Sequence, residues 1–266
     1  MGIEGVKNII LVLSGKGGVG KSSMAAHLAL TLRDLNLKVG LLDVDLCGPS
    51  IPLMLGLEGE VIHQSSDGWT PVFTDSSQSF AVVSMSFLLN DKKDAVIWRG
   101  PKKNALIKQF LTDVCWPDLD YLVVDLPPGT TDEHITLVEN LKTHKSVAAV
   151  LVTTPQIIAI SDVMREITFC KKGNLPVLGI IENMSGFVCP NCSECSAVFS
   201  EGGGEKLAKN SDLCFLGSIP LDSIFAASIK KRCKNEKMED SDTLQKFHSI
   251  AETIISNMKR ISLISC

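Results

Sequence analysis

The chain has 266 residues, 45% of them hydrophobic, and a formal net charge of -4. That is enough apolar material for one large α/β domain, and the acidic balance argues against broad electrostatic binding to nucleic acid. No apolar run approaches the roughly 18 residues that span a bilayer, and nine cysteines, an odd number without a cationic and apolar leader before them, point to a reducing, cytoplasmic compartment.

In chain order, the apolar run 8–13 predicts a strand, followed by Gly15-Lys16-Gly17-Gly18-Val19-Gly20-Lys21-Ser22 and a helix-like segment. Glycines let the backbone fold into a nest of N–H groups around phosphate oxygens, and the helix that follows points its positive end at the same anion. Lys21 is expected to hold the outer phosphates of a nucleotide and Ser22 a magnesium ion. An ordinary phosphate loop needs only Lys21. The second cation, Lys16, therefore implies a charge delivered elsewhere, across a dimer interface.

Further β-rich runs fall at 38–43, 79–84, 120–125, 147–153, 176–182 and 213–219, separated mostly by segments of helical periodicity. Several are apolar almost throughout, as in Tyr121-Leu122-Val123-Val124, which suits strands covered on both faces. The fold class expected is α/β, a doubly wound and mainly parallel sheet whose strand-exit loops share one edge, in one domain over 1–266. The stretch 55–74, with Asp67-Gly68 between apolar residues, reads as a small hairpin-like excursion. Near the end, Phe247, Ile250, Ala251, Ile254, Ile255, Met258 and Ile261 recur at helical spacing and predict a packed core helix.

Two acidic turns belong on the phosphate-loop edge. Asp43-Val44-Asp45 follows one strand, and Asp125-Leu126-Pro127-Pro128-Gly129-Thr130-Thr131-Asp132 follows another. Asp125 is expected to hold magnesium through its water shell, Asp45 to orient or deprotonate the attacking water, and Gly129 to bring its N–H to the terminal phosphate. Aspartates in such places also cap turns and helices: Asp45 can cap Gly48-Pro49-Ser50, and Asp132 is read as the cap of the next helix.

The loop around 186–200 carries Cys189-Pro190-Asn191-Cys192-Ser193-Glu194-Cys195. Soft thiolates select zinc or iron-sulfur clusters, and both kinds of site usually take four protein ligands. The other cysteines, at 47, 115, 170, 214, 233 and 266, are widely spaced singles read as small buried hydrophobes. A two-fold dimer completes the count, with Cys189 and Cys192 from each chain. Spacing chemistry leaves three readings open: a shared cluster, structural zinc, or redox thiols.

Taken together, Gly15 to Ser22, Asp43-Val44-Asp45, Asp125 to Thr130 and Cys189-Pro190-Asn191-Cys192 resemble the Mrp/ApbC family of deviant-Walker, SIMIBI-type P-loop ATPases. Residues 38–50, 98–104, 182–186 and 199–204 look like its short eukaryotic branch, a scaffold subunit of cytosolic iron-sulfur cluster assembly. Ser22-Ser23 stands where many relatives place Ser followed by Thr, and the hydroxyl at 22 is kept. The resemblance implies an Mg-dependent ATPase in which Lys16 reaches the partner's phosphates, Asp45 lies in a switch, and Cys189 and Cys192 hold a bridging 4Fe-4S cluster. Cys195 becomes an accessory or transfer thiol, Asn183 contacts adenine, and residues near Pro220 wall the base.

The implied partners are a second copy, a longer paralogue bearing an N-terminal cluster in a heterotetramer, downstream targeting factors, and cytosolic and nuclear apoproteins. A first strand beginning a few residues into the chain fits the short subunit. Nucleic acid and membrane are not expected. Three rivals share parts of the pattern, one of them a non-catalytic zinc-stapled regulator that ATP turnover and metal identity would separate. A MinD-like positioning ATPase needs a basic membrane helix or DNA face, and a reductase resembling the nitrogenase iron protein draws its cluster ligands from separate loops. Arg99, Lys102, Lys103 and Lys108 read either as a docking face or as a solvated helix face.

Overall fold

A computed structural model describes residues 2–45, 48–66, 68–88, 100–189, 191–192, 194–196, 202–236 and 240–264. The elements are β1 (Val6–Leu13), α1 (Lys21–Asp34), β2 (Val39–Asp43), α2 (Ile51–Leu55), β3 (His63–Ser65), β4 (Gly68–Thr70), β5 (Val72–Phe73), β6 (Phe80–Ser84), α3 (Gly100–Thr112), β7 (Leu119–Asp125) and α4 (Asp132–Leu141). They continue with β8 (Val147–Thr153), α5 (Ile157–Lys172), β9 (Val177–Val188), β10 (Cys195–Ser196), α6 (Gly203–Asn210), β11 (Phe215–Leu221), α7 (Ser223–Ala227), α8 (Ile229–Cys233) and α9 (Asp242–Ile264).

The strands lie in the order β11, β9, β8, β1, β7, β2, β6, β5, all parallel except the short edge strand β5, while β10 pairs antiparallel with the far end of β9. This is the doubly wound, mainly parallel sheet expected. β1 sits at its centre, with Ile9 to Leu13 excluded from solvent, because every residue of that run meets a neighbouring strand or a helix layer. The chain leaves β1, passes over β7 and enters β2, and later returns to the other side of β1 as β8. Strand order therefore diverges around β1, which opens a crevice at the carboxyl edge of the sheet.

Helix α1 is buried nearly all round, from Met24 to Arg33, because it is wedged between the sheet and α9. The C-terminal helix buries Phe247, Ile250, Ala251, Ile254 and Met258, with Ile255 and Ile261 packed at its margin, as its spacing predicts. Strands β3 and β4 form the small hairpin of the 55–74 excursion, although Asp67 at its turn lies outside the described residues.

Two expectations are corrected. The run 176–182 extends as β9 to Val188, six residues further, through Asn183, Met184 and Ser185. Those polar and irregular positions interrupt the apolar run, but the backbone continues through a bulge: a step of two along β11, from Ile219 to Leu221, spans a step of four along β9, from Asn183 to Phe187. The single cysteines also divide. Cys170 and Cys233 are buried as expected, whereas Cys115 is half-buried and Cys214, just before the edge strand β11, is exposed. Cys47 and Cys266 lie outside the described residues.

Candidate functional site

The loop between β1 and α1 is shaped by close contacts that forbid side chains. A Cβ on Gly15 would lie 2.4 Å from the backbone of Asp162 in α5. Gly20 has φ 82, and a Cβ there would lie 2.2 Å from Asn183 Nδ2. The first N–H groups of α1, at Lys21, Ser22 and Ser23, thus follow a left-handed turn and face the carboxyl edge, as an anion cradle requires. A cavity of about 280 Å³ opens over Lys16, Gly17, Gly18, Ser22, Asp45 and Pro128. It adjoins, at Gly20 and Ser23, a second cavity of about 320 Å³ walled by Asn183, Met184, Pro220, Leu221 and Phe225. The two together are in the size range of small-molecule sites, one lobe lined by the glycine loop with Lys16, Lys21 and Ser22 and the other mainly by apolar side chains.

At the polar end, Lys21 Nζ contacts Asp125 Oδ1 at 2.5 Å and Ser22 Oγ at 3.4 Å. Lys21 is 6% exposed and Asp125 fully buried. The second oxygen of Asp125, Oδ2, is buried without a hydrogen bond. Burial raises the Asp125 pKa above the ordinary carboxylate value, against the pull of Lys21. Asp43 stands directly beside it in the β2–β7 register and is also fully buried. Its Oδ2 accepts from Ser84 Oγ (3.0 Å) and its Oδ1 from the Asp45 N–H (3.1 Å), while burial and the neighbouring Asp125 push its pKa well up.

Asp43 went unassigned in the sequence, where it reads as the end of a strand. An aspartate closing an otherwise apolar strand at the edge that carries Asp125 is the signal for it. Asp45 is half-buried at the cavity rim, and its Oδ1 accepts from the Gly48 N–H (3.2 Å), so it does cap its own turn. Gly129 reaches the same edge, but its N–H, expected at the terminal phosphate, donates to Ser14 O (2.8 Å) and ties the β7 exit to the phosphate loop. Asp132 does not cap α4. Thr131 holds the N-cap position, paired with His134, whose Nδ1 accepts from the Thr131 N–H (3.3 Å), and Asp132 sits in the first turn.

In the apolar lobe, Asn183 is buried and its Nδ2 donates to Val19 O (2.8 Å), so the amide expected at adenine also clamps the phosphate loop. His27 lines this lobe, stacked on Phe225 at 4.5 Å, and its Nδ1 lies 3.0 Å from Arg232 Nη1. Burial and that cation lower its pKa to about 3, so it stays neutral. Lys16 is half-buried, and its Nζ donates to Gln156 Oε1 (3.1 Å), a residue that local pattern did not single out.

The cysteine loop leaves the far end of β9, six residues beyond Asn183. The Cys189 N–H donates to Glu194 O (3.0 Å), and the short β10 pairing sets Cys195 opposite Val188. Backbone N–H groups of Cys192 and Asn191, with the Cys192 thiol, hold the Cys189 thiol below its ordinary pKa. Cys189 is half-buried and Cys192 exposed. Cys195 packs instead against Gly186, where a Cβ would meet its sulfur at 2.8 Å. Among the described residues, no three His, Cys, Asp or Glu side chains converge as a metal site. Pro190 and Ser193 lie outside the described residues, as does Arg99 of the basic stretch. In that stretch, Lys103 is tied to Glu133 of α4 (2.9 Å), while Lys102 and Lys108 are exposed.

A glycine-lined loop between the central strand and a buried helix, with acidic turns at two neighbouring strand ends, defines a P-loop ATPase of the doubly wound class. The comparisons narrow this further. The profile of the family described as ParA, the NUBPL iron-transfer P-loop NTPase, matches residues 5–255, and the chain belongs to that family. It is 60% identical to the cytosolic Fe-S cluster assembly factor NUBP2 homolog of Nematostella vectensis, over 95% of this chain and 94% of that protein. It is 55% identical to cytosolic Fe-S cluster assembly factor NUBP2 of Bos taurus, over 96% of this chain and 94% of that protein. Among solved structures it resembles the nucleotide-binding protein of Archaeoglobus fulgidus in complex with ADP, at a TM-score of 0.74 and 38% identity, covering 90% of this chain and 91% of that one. The cell division ATPase MinD of Pyrococcus furiosus shares the fold at a TM-score of 0.67 and 22% identity, over 94% of this chain and 99% of that one. No described helix is long and apolar enough to cross a membrane.

Proposed function

We propose that the chain is a cytoplasmic, ATP-dependent scaffold and carrier. It assembles a bridging 4Fe-4S cluster on Cys189 and Cys192 of two chains and passes it to cytosolic and nuclear apoproteins. The observation that carries this reading is the thiol pair itself. Two sulfurs stand without a third ligand among the described residues, one of them held toward thiolate by backbone N–H groups. They stand beyond the end of the strand that clamps the nucleotide loop through Asn183. Two thiolates are half of a four-thiolate site, and a second chain supplies the other half. The printed names of the relatives support the cargo and the compartment.

Nucleotide acts here as a switch. Lys21 takes the outer phosphates in place of Asp125, and Asn183 and Pro220 wall the base. Ser22 and Asp125 suit a magnesium ion, since Asp125 keeps a buried oxygen without a hydrogen bond beside the loop. When bound there, magnesium neutralises phosphate charge. Asp45 orients the attacking water at the cavity rim. Lys16 reaches the phosphates held by the second chain, and the adjacent Ile157 and Ile158, 80% and 68% exposed, suit burial against that chain. The second chain is another copy or a longer paralogue.

Anaerobic reconstitution, followed by iron and sulfide analysis and sedimentation, tests the reading. The expected result is about one 4Fe-4S cluster per two chains, with dimerisation strengthened by the shared ligand. One zinc per monomer without sulfide rejects it in favour of a structural zinc site.

A further inference from the structure

Gln156 occupies the N-cap position of α5, with φ -66 and ψ 132, yet its side chain makes no capping hydrogen bond. The side chains that cap helices there are the short ones of Ser, Thr, Asp and Asn, and the longer glutamine amide is free to reach beyond its own helix. Here Oε1 accepts from Lys16 Nζ at 3.1 Å, across 140 positions of sequence. The backbones that carry the two residues are held in place, because Gly15 packs against Asp162 of the same helix with no room for a Cβ, and Ser14 Oγ donates to Lys16 O (3.2 Å). Both residues are half-buried, and the exposed Ile157 and Ile158 follow Gln156 directly in the chain.

The chemistry of the acceptor matters as much as its position. An amide oxygen directs an ammonium without neutralising it, so the full charge remains available to a phosphate. A carboxylate of the same size would form a charge-assisted pair and compensate the lysine before any phosphate arrived. A residue without an acceptor would leave a flexible four-carbon stem to find its target unaided.

We infer that Gln156 is a positioning residue for Lys16, aiming its ammonium at the phosphates of a nucleotide held by a second chain while leaving its charge uncompensated. The inference rests on the reading of Lys16 as a cation that acts across the dimer.

The test measures ATP turnover and nucleotide affinity for the full-length chain and for Lys16→Ala, Gln156→Ala, Gln156→Glu and the double variant Lys16→Ala/Gln156→Glu. Gln156→Glu is expected to lower kcat by about tenfold or more while leaving nucleotide affinity close to that of the unsubstituted chain, with part of the loss recovered at high salt. Gln156→Ala is expected to lower kcat by a smaller factor, about threefold, and decides the matter if Gln156→Glu fails to fold. In the Lys16→Ala background Gln156→Glu should have no further effect, because both changes act through one ammonium. Unchanged turnover in Lys16→Ala overturns the reading of Lys16 itself. Impaired Lys16→Ala with both Gln156 variants unimpaired, or losses that simply multiply in the double variant, overturns the role of Gln156 alone.

Discussion

Lys21 of α1 and Asp125 of β7 form an ion pair at 2.5 Å with the lysine 6% exposed and the aspartate fully buried. It joins the start of the helix after the central strand to the end of the strand beside it. A bound nucleotide therefore does not introduce charges into an apolar site. In the function proposed above it exchanges partners, giving Lys21 a phosphate and freeing Asp125 for a cation.

Removing one member of a buried pair leaves the other uncompensated, at a cost of about 3–5 kcal/mol. Lys21→Ala is thus expected to abolish nucleotide binding and also to lower Tm, since Asp125 would face Asp43 alone. Lys21→Ala/Asp125→Asn should regain much of the Tm and none of the binding. Thermal denaturation with calorimetric titration of Mg-ATP checks both, and a double variant no more stable than Lys21→Ala would show that the pair does not govern stability here.

Asp45→Asn should leave nucleotide affinity nearly unchanged and suppress hydrolysis, because Asp45 borders the phosphate cavity at its rim and accepts from the Gly48 N–H of its own turn. Asp125→Asn should weaken magnesium-dependent binding as well. The comparison is made on affinity and phosphate release together, and the reverse pattern would exchange the two roles.

Cys189→Ala and Cys192→Ala are each expected to abolish iron and sulfide loading, while Cys195→Ala retains much of it, because Cys195 packs against Gly186 and not with the other two. Equal loss of iron in all three variants, measured after anaerobic reconstitution, would count Cys195 as a ligand.

Glu166 of α5 is 1% exposed, its Oε2 has no hydrogen bond, and burial raises its pKa from 4.5 to about 7. The folded state holds this proton more tightly than the unfolded chain does. Its contribution to stability is therefore fully present below about pH 4.5 and is lost as pH rises through about 7. Glu166→Gln should raise stability at pH 8 by up to about 3 kcal/mol, with the difference fading toward pH 4.5. Melting curves across that range test this, and coincident curves at pH 8 would mean that the carboxyl is not held unpaired.

Much of the molecule is legible in local pattern. The strands announce themselves because a parallel sheet covered on both faces needs uninterrupted apolar runs, as at Ile9 to Leu13 and Leu122 to Val124. The phosphate loop is equally local, since the same few residues make the turn, supply the N–H groups and begin the helix. The cysteine pair follows from spacing. Tertiary structure decided the contacts that make these parts one site: Lys21 with Asp125 across 104 positions, Lys16 with Gln156 across 140, and Asn183 with Val19 across 164. It also decided that Asp43 lies beside Asp125, that Thr131 and not Asp132 caps α4, and that β9 runs on to the cysteines. Periodicity reports which face of a segment is buried, but not which distant segment it meets. That is set by strand order and register, where a shift of one residue would turn Asp43 or Asp125 away from the crevice.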